Sequence, residues 1–305
     1  MVEEAVKSAD LVKTYRGKEN VEALKGINIS IKKGELFTLL GPNGAGKTTF
    51  LRIISTQLFP TSGRAHVLGY DVVTQPNEVR KRIAVVPQDV ATYANFTPWE
   101  YSYYFTMLRG VSKPDAKTAA EGALKAVELW DLRDRTCATL SGGEKKRAII
   151  AAALASNVDV FMLDEPTSGL DAVARRNVWA VLREMVEQGK TILLTTHIME
   201  EAEMVSDRLA IVHKGNVVAE GTPEEIKRLA KDRFRVVIEG NLKSLGLSEN
   251  NDNITKFGSK SIVYVKDENE AIELVGKSLK KGLKAETAPV TLEDVFVKLV
   301  GGEVD

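Results

Sequence analysis

The nonapeptide GPNGAGKTT, residues 41–49, decides how this chain is read. It fits the pattern G-x-x-x-x-G-K-[ST] through Gly41, Gly46, Lys47 and Thr48. It follows the apolar run ELFTLL and opens a segment, 47–58, of helical character. A strand, a glycine-rich turn and a helix in that order make a cradle for phosphate, because glycine admits the dihedrals that turn successive backbone N–H groups toward one anion. Pro42, Asn43, Gly44, Ala45 and Thr49 complete that cradle. Lys47 is expected at the β- and γ-phosphates, and the Thr48 hydroxyl at Mg²⁺.

A phosphate cradle of this kind needs an acid opposite it. VFMLDEP, 160–166, is an apolar strand that ends in two carboxylates. Asp164 is expected to hold Mg²⁺, directly or through water, and Glu165, one residue on, to accept a proton from an attacking water. Gln88 follows the short strand RIAVVP, 82–87. A neutral amide there can ligate Mg²⁺ or orient water, although on local sequence alone an ordinary loop glutamine is the simpler reading. His197 follows the apolar run TILLTT and is placed to bond a γ-phosphate or the attacking water. His66 and His213 have no such setting. Tyr15 can stack on an adenine ring; a tyrosine at the edge of a strand core fits it nearly as well.

Composition narrows the setting. The 305 residues are 44% apolar, enough for a real core, and suffice for one large domain or one large and one small. Lys and Arg number 42 against 42 Asp and Glu, so net charge offers no electrostatic reason to expect nucleic acid as a partner. The one cysteine, Cys137, rules out an internal disulfide framework and fits a reducing compartment. The start, MVEEAVKSADLVK, lacks an apolar stretch of signal-peptide length, and the longest apolar run, 148–155, is far short of the ~20 residues of a membrane span. A soluble chain is expected, with any membrane spans supplied by other polypeptides.

Along the chain, SADLVKTY, INISI and ELFTLL read as strands. From about 97 the pattern turns helical: WEYSYYFTMLRG, DAKTAAEGALKAVELWDL, and a third helix from SGGE to about residue 156. VDVFML and TILLTT flank a helix over 172–188, which argues for a parallel sheet, and RLAIVHKGNVVAEG reads as a hairpin turning at 214–216. Composition shifts after about 230. RFRVVIEG and SIVYVKD read as strands, ENEAIELVGKSLKKG as a helix, and TLEDVFVKLVG as a final amphipathic helix with Leu292, Val295, Phe296 and Leu299 on one face. LSENNDN, 247–253, reads as a polar loop. The expected division is 1–230 and a small α+β module, 231–305.

TLSGGEKKRA, 139–148, contains a second helix start suited to an anion. Ser141 and Glu144 have the spacing of a capping box, which accounts for a helix start but not for two glycines inside it. Gly142 and Gly143 bare the backbone, as close approach by a ligand requires.

In this order, GPNGAGKTT, Gln88, LSGGE (140–144), VFMLDEP, SGLD (168–171) and His197 make the chain resemble the nucleotide-binding subunit of an ATP-binding cassette (ABC) transporter, over about residues 5–225. The resemblance implies an α/β phosphate-loop NTPase core with an antiparallel β subdomain and a helical subdomain at about 89–156. It implies ATP and Mg²⁺ as ligands and a head-to-tail dimer with a second, identical cassette. Ser141, Gly142 and Gly143 then serve the nucleotide held by the opposite subunit, and Asp171 lies at the seam. It also implies an integral membrane permease as partner, and so a cytoplasmic position at the inner face of the membrane. Glu144 stands where the family often has glutamine; a carboxylate beside phosphate is unhelpful, so it is assigned to capping. TLEDVFVKLVG resembles the tail of cassettes serving ABC-2 type exporters of drugs, antibiotics or polysaccharides. In TYANFTPWEYSYYF, 92–105, Tyr93 and Phe96 are expected to be exposed and to face the membrane partner. The competing readings are a soluble ABC ATPase that acts on ribosomes or nucleic acid, or one that serves metal-cluster assembly.

Overall fold

A computed structural model describes residues 3–88, 92–247 and 253–300. The chain forms two compact units, 1–220 and 221–305.

The first unit opens with β1 (Glu4–Tyr15), β2 (Val21–Lys32) and β3 (Leu36–Leu40), followed by α1 (Lys47–Ile54), β4 (Ser62–Val67), β5 (Tyr70–Asp71), α2 (Pro76–Arg80) and β6 (Ile83–Val86). Three helices come next: α3 (Pro98–Leu108), α4 (Lys113–Ala126) and α5 (Gly142–Leu154). The chain then alternates through β7 (Val160–Asp164), α6 (Ala172–Glu187), β8 (Thr191–Thr196), α7 (Met199–Val205) and the hairpin of β9 (Arg208–His213) with β10 (Asn216–Gly221). That hairpin turns on Lys214 and Gly215, both at positive φ (46° and 82°), the conformation a two-residue turn requires.

Two sheets result. One has the order β2-β1-β4-β5, with antiparallel pairs. The other has the order β10-β9-β3-β8-β7-β6, and the pairs from β9 to β6 are parallel. Every residue of β3, β7 and β8 is buried, which is why these strands read as unbroken apolar runs rather than alternating ones. Their parallel pairing brings the carboxyl ends of β3, β6, β7 and β8 to one edge of the sheet, the edge where open α/β sheets bind ligands.

The three-helix segment has clear local causes. Thr97 and Glu100 form a capping box at α3 with a proline in the first turn, and Ser112 caps α4. These helices pack with α6 around Leu124, Ile150, Phe161, Val178 and Leu182. A second apolar cluster joins the antiparallel sheet to α1 through Ile31, Phe37, Phe50 and Ile53. Cys137 is fully buried, and burial pushes its thiol pKa up.

The second unit holds α8 (Pro223–Lys227), β11 (Phe234–Glu239), β12 (Ile254–Phe257), β13 (Lys260–Val265), α9 (Glu268–Lys280), β14 (Lys284–Pro289) and α10 (Leu292–Val300). It begins ten residues earlier than the composition shift suggests, because α8 packs against α10. Its sheet is antiparallel in the order β12-β13-β11-β14. Val236, Ile238, Val263 and Val265 form the core of this unit with Ala271 of α9. Leu292, Val295 and Phe296 of α10 are buried, but Leu299, expected on the same face, is 39% exposed, and a carboxylate, Asp294, is buried instead. The expected loop 247–253 lies largely outside the described residues.

Candidate active site

The phosphate loop leaves β3 at Gly41 and enters α1 at Lys47. Two of its glycines are sterically required. A Cβ on Gly41 would sit 2.2 Å from the Val212 carbonyl oxygen, and one on Gly46, at φ +110°, would sit 2.5 Å from that of Ala23. No side chain caps α1, which leaves the first-turn amides to a ligand.

Lys47 is buried, and its ammonium donates to the carbonyls of Gly41 (2.7 Å) and Pro42 (3.0 Å). Burial lowers its pKa, and the charges of Glu165 and Asp164 oppose that shift. Beside it, Thr48 Oγ1 donates to Asp164 Oδ1 at 3.1 Å, and the same oxygen accepts from the Thr195 hydroxyl of β8. Tyr15, at the end of β1 and 39% exposed, places its hydroxyl 3.2 Å from Thr49 Oγ1. The tyrosine therefore flanks the loop rather than filling a strand core.

Glu165 is where the strand ends converge. Its carboxylate is buried, accepts from Gln88 Nε2 (3.2 Å), lies 3.1 Å from His197 Nδ1 and lies 3.7 Å from Lys47 Nζ. Residues from the ends of β6 and β8 and from the start of α1 thus meet on the acid that follows β7. Glu165 takes φ +47°, a left-handed conformation that costs a non-glycine residue about 1–3 kcal/mol. The structure holds it there by both backbone atoms. Its N–H donates to Thr195 O (3.0 Å) and Thr195 Oγ1 (3.2 Å), and its carbonyl accepts from Ser168 N (3.2 Å) and from Lys146 Nζ of α5 (2.6 Å).

Sequence reasoning missed Thr195 and Lys146. Thr195 carries a faint signal, a hydroxyl at the end of an apolar strand. Lys146, in the basic run KKR, carries none.

Ser141, Gly142 and Gly143 form the start of α5, away from this convergence: among the described residues, no hydrogen bond or ion pair joins them to the phosphate loop. Ser141 and Glu144 make a complete capping box, with Ser141 N donating to Glu144 Oε2 (2.7 Å) and Glu144 N to Ser141 Oγ (3.3 Å). The Ser141 bonds hold the Glu144 carboxyl below its usual range. A Cβ on Gly143 would lie 3.2 Å from the Leu170 side chain, which puts SGLD beside the helix start, whereas one on Gly142 would meet nothing within 4 Å. Asp171 caps α6 by accepting from Val173 N (3.0 Å) and Ala174 N (2.9 Å). The Ala174 bond is the foremost cause of its lowered pKa.

Thr48 Oγ1 and Asp164 Oδ1 are two hard oxygens in contact, with the Gln88 amide bonded to Glu165 beside them. Among the described residues no group of three or more His, Cys, Asp or Glu side chains can hold a metal. One carboxylate and one hydroxyl without a protein cage suit Mg²⁺, which keeps waters and takes phosphate oxygens rather than a full set of protein ligands.

Of the aromatic segment, Tyr93 is 60% exposed, but Phe96 is half-buried against the helical core, 5.4 Å from the Tyr93 ring. The expectation of two exposed rings is therefore met by one. Tyr104 and Leu108 of α3 are also exposed. No helix among the described residues is long and apolar enough to cross a membrane.

Comparison with known proteins gives a consistent result. The family described as ABC transporter matches residues 24–168. The chain is 40% identical over 223 residues to the daunorubicin/doxorubicin resistance ATP-binding protein DrrA of Streptomyces peucetius, covering 73% of this chain and 67% of that protein. It is 36% identical over 305 residues to the Nod factor export ATP-binding protein I of Rhizobium etli, covering 99% and 95%. Among solved structures, the dimeric post-hydrolysis state of an ATP-binding cassette bound to ADP and inorganic phosphate superposes with a TM-score of 0.66 at 30% identity, covering 71% of this chain and 98% of that one.

Proposed function

The chain belongs to the ABC transporter family, and from that premise we propose that it is the ATP-hydrolysing motor of an exporter whose membrane spans lie in a separate permease. The observation that carries this reading is the convergence of Lys47, Gln88 and His197 on Glu165 at the carboxyl edge of the parallel sheet.

In this reading the backbone of residues 41–46 and the first turn of α1 receive the phosphates of ATP, and Tyr15 receives the adenine ring. The Lys47 ammonium turns from its two carbonyls to the β- and γ-phosphate oxygens. Thr48, Asp164 and Gln88 would hold Mg²⁺, which supplies charge neutralisation on the phosphate oxygens. Glu165 takes a proton from the attacking water as the bond between the γ-phosphorus and its bridging oxygen breaks, leaving ADP and phosphate. Gln88 and His197 hold the carboxylate in line, Gln88 through its Nε2 and His197 through its Nδ1.

Ser141, Gly142, Gly143 and Asp171 are assigned to the nucleotide of a second, identical subunit. What supports this is the open backbone at Gly142, since Ser141 and Glu144 turn their side chains to their own helix. An isologous pair then builds two composite sites. The export relatives support outward transport, and a membrane permease as partner places the subunit at the cytoplasmic face of the membrane. The exposed Tyr93, Tyr104 and Leu108 suit that partner's docking surface.

The deciding experiment is Glu165→Gln. Turnover is expected to fall by about 10²–10⁴-fold, the usual worth of a general base, while ATP binding persists and an ATP-bound dimer accumulates on gel filtration. Retained hydrolysis in a monomeric variant would refute the assignment.

A further inference from the structure

The chain contains a bridge between its helical segment and its catalytic strand that no motif records. Lys146 lies on α5, five residues past Ser141, or about 7.5 Å along the helix axis. Its ammonium donates to the Glu165 carbonyl at 2.6 Å and to the Gln88 carbonyl at 3.3 Å. These are the backbone oxygens of the acid at the end of β7 and of the amide that bonds that acid's carboxylate. One ammonium therefore joins three elements at the reacting edge of the sheet.

We propose that Lys146 is a positioning residue for ATP hydrolysis, fixing the Glu165 carboxylate through the backbone and tying its placement to the position of α5. The inference rests on the reading of Glu165 as the base.

Three observations converge on it. First, Glu165 sits in a left-handed conformation, which persists only where neighbours hold it. Second, the Glu165 N–H is held by β8, so the carbonyl is the remaining point from which the peptide can swing. The Ser168 amide at 3.2 Å is local to the same turn and moves with it, whereas Lys146 comes from a separate element. Third, a charge-assisted bond to a carbonyl is stronger than a neutral one, and here it is also the shorter of the two. A displacement of α5 draws the ammonium away and frees the Glu165 peptide to relax. Since a misplacement of about 1 Å can cost ~10²-fold in rate, the bridge makes hydrolysis depend on where the start of α5 stands.

The test compares Lys146→Met and Lys146→Gln with the unaltered full chain by steady-state ATPase kinetics, binding of a fluorescent ATP analogue, and thermal unfolding. Lys146→Met is expected to lower kcat by about tenfold or more with KM and analogue affinity within about twofold, because the Lys146 ammonium bonds the Glu165 and Gln88 carbonyls and is not part of the phosphate loop. Lys146→Gln, which keeps an N–H donor, is expected to recover much of the loss. Wild-type kcat in Lys146→Met overturns the proposal. So does a parallel loss of kcat, nucleotide affinity and unfolding temperature that glutamine fails to rescue, since that is the mark of a purely structural side chain. Glu165→Gln, run alongside, separates the two ideas: if it still hydrolyses ATP, the base assignment falls and the positioning role with it; if it is inactive while Lys146→Met is not, only the positioning role falls.

Discussion

Glu201 shows how much one buried side chain can carry. It lies on α7, fully buried, and its Oε1 accepts from the Thr167 hydroxyl (2.7 Å) and from Trp179 Nε1 (2.8 Å), while Oε2 has no hydrogen-bond partner. Truncation leaves two donors without an acceptor, so Glu201→Ala should cost about 2 kcal/mol or more in urea unfolding. Glu201→Gln keeps Oε1 and removes the charge of a group whose two hydrogen-bond partners, Thr167 and Trp179, are both neutral, and should be close to neutral or stabilising. Equal loss in both variants would show that the charge itself is needed. At this scale the phosphate loop, Asp164 and Glu165 were legible, because they are contiguous and each follows an apolar strand. The meeting of Gln88 and His197 on Glu165 was not, since it depends on the strand order β3-β8-β7-β6, which brings residues 77 and 32 positions away in sequence to one edge. Lys146 was illegible for a simpler reason: a lysine in KKR looks like any solvated helix residue.

Secondary-structure elements were legible where an apolar period or a cap announced them, and hidden where polar residues carried the chain. β4, SGRAHV, buries only Ala65 and Val67, so nothing in its composition signals a strand; its partner β1 supplies the reason for it. α7, MEEAEMV, holds three acidic residues in seven and reads as solvated, yet it buries one of them. The same surprise recurs at α10. Asp294 accepts from Thr291 N and Oγ1 (2.7 Å each), from the Tyr264 hydroxyl (2.8 Å) and from Arg235 Nη1 (3.2 Å). Burial alone would raise the carboxyl pKa, but these partners outweigh it and hold it below its usual range, while burial and the Asp294 bond push the Tyr264 hydroxyl up. A carboxyl depressed in the folded state contributes stability that is present above its unfolded pKa of about 3.9 and lost as pH falls through the folded value. The second unit should therefore stay folded down to about pH 4 and lose stability below it. Asp294→Ala should remove about 2–3 kcal/mol at neutral pH, because the buried Tyr264 hydroxyl and the half-buried Arg235 both lose their carboxylate acceptor. Circular dichroism melts of both chains from pH 7 to pH 3 check this; a mutant with an unchanged pH profile and midpoint would show the network to be ornamental.

At the scale of the whole chain, the two units each have their own sheet and core. A chain ended after Gly221 keeps both sheets of the first unit and every residue that converges on Glu165. It should unfold cooperatively and bind ATP with an affinity close to that of the full chain; loss of cooperative unfolding would show that the first unit depends on residues 222–305. The second unit starts at Gly221, ten residues before the composition shift, because the short polar α8, capped by Thr222 and Glu225, packs against α10. The single, fully buried Cys137 has a consequence of a different kind. Covalent probes find no reactive sulfur on the folded surface: a thiol-specific colorimetric reagent should count none per chain in native buffer and one in denaturant. A cysteine introduced at the exposed Tyr93 or Val173 then becomes a unique anchor for a dye or spin label, and movements of the subunit can be followed without first engineering the chain free of its own thiol.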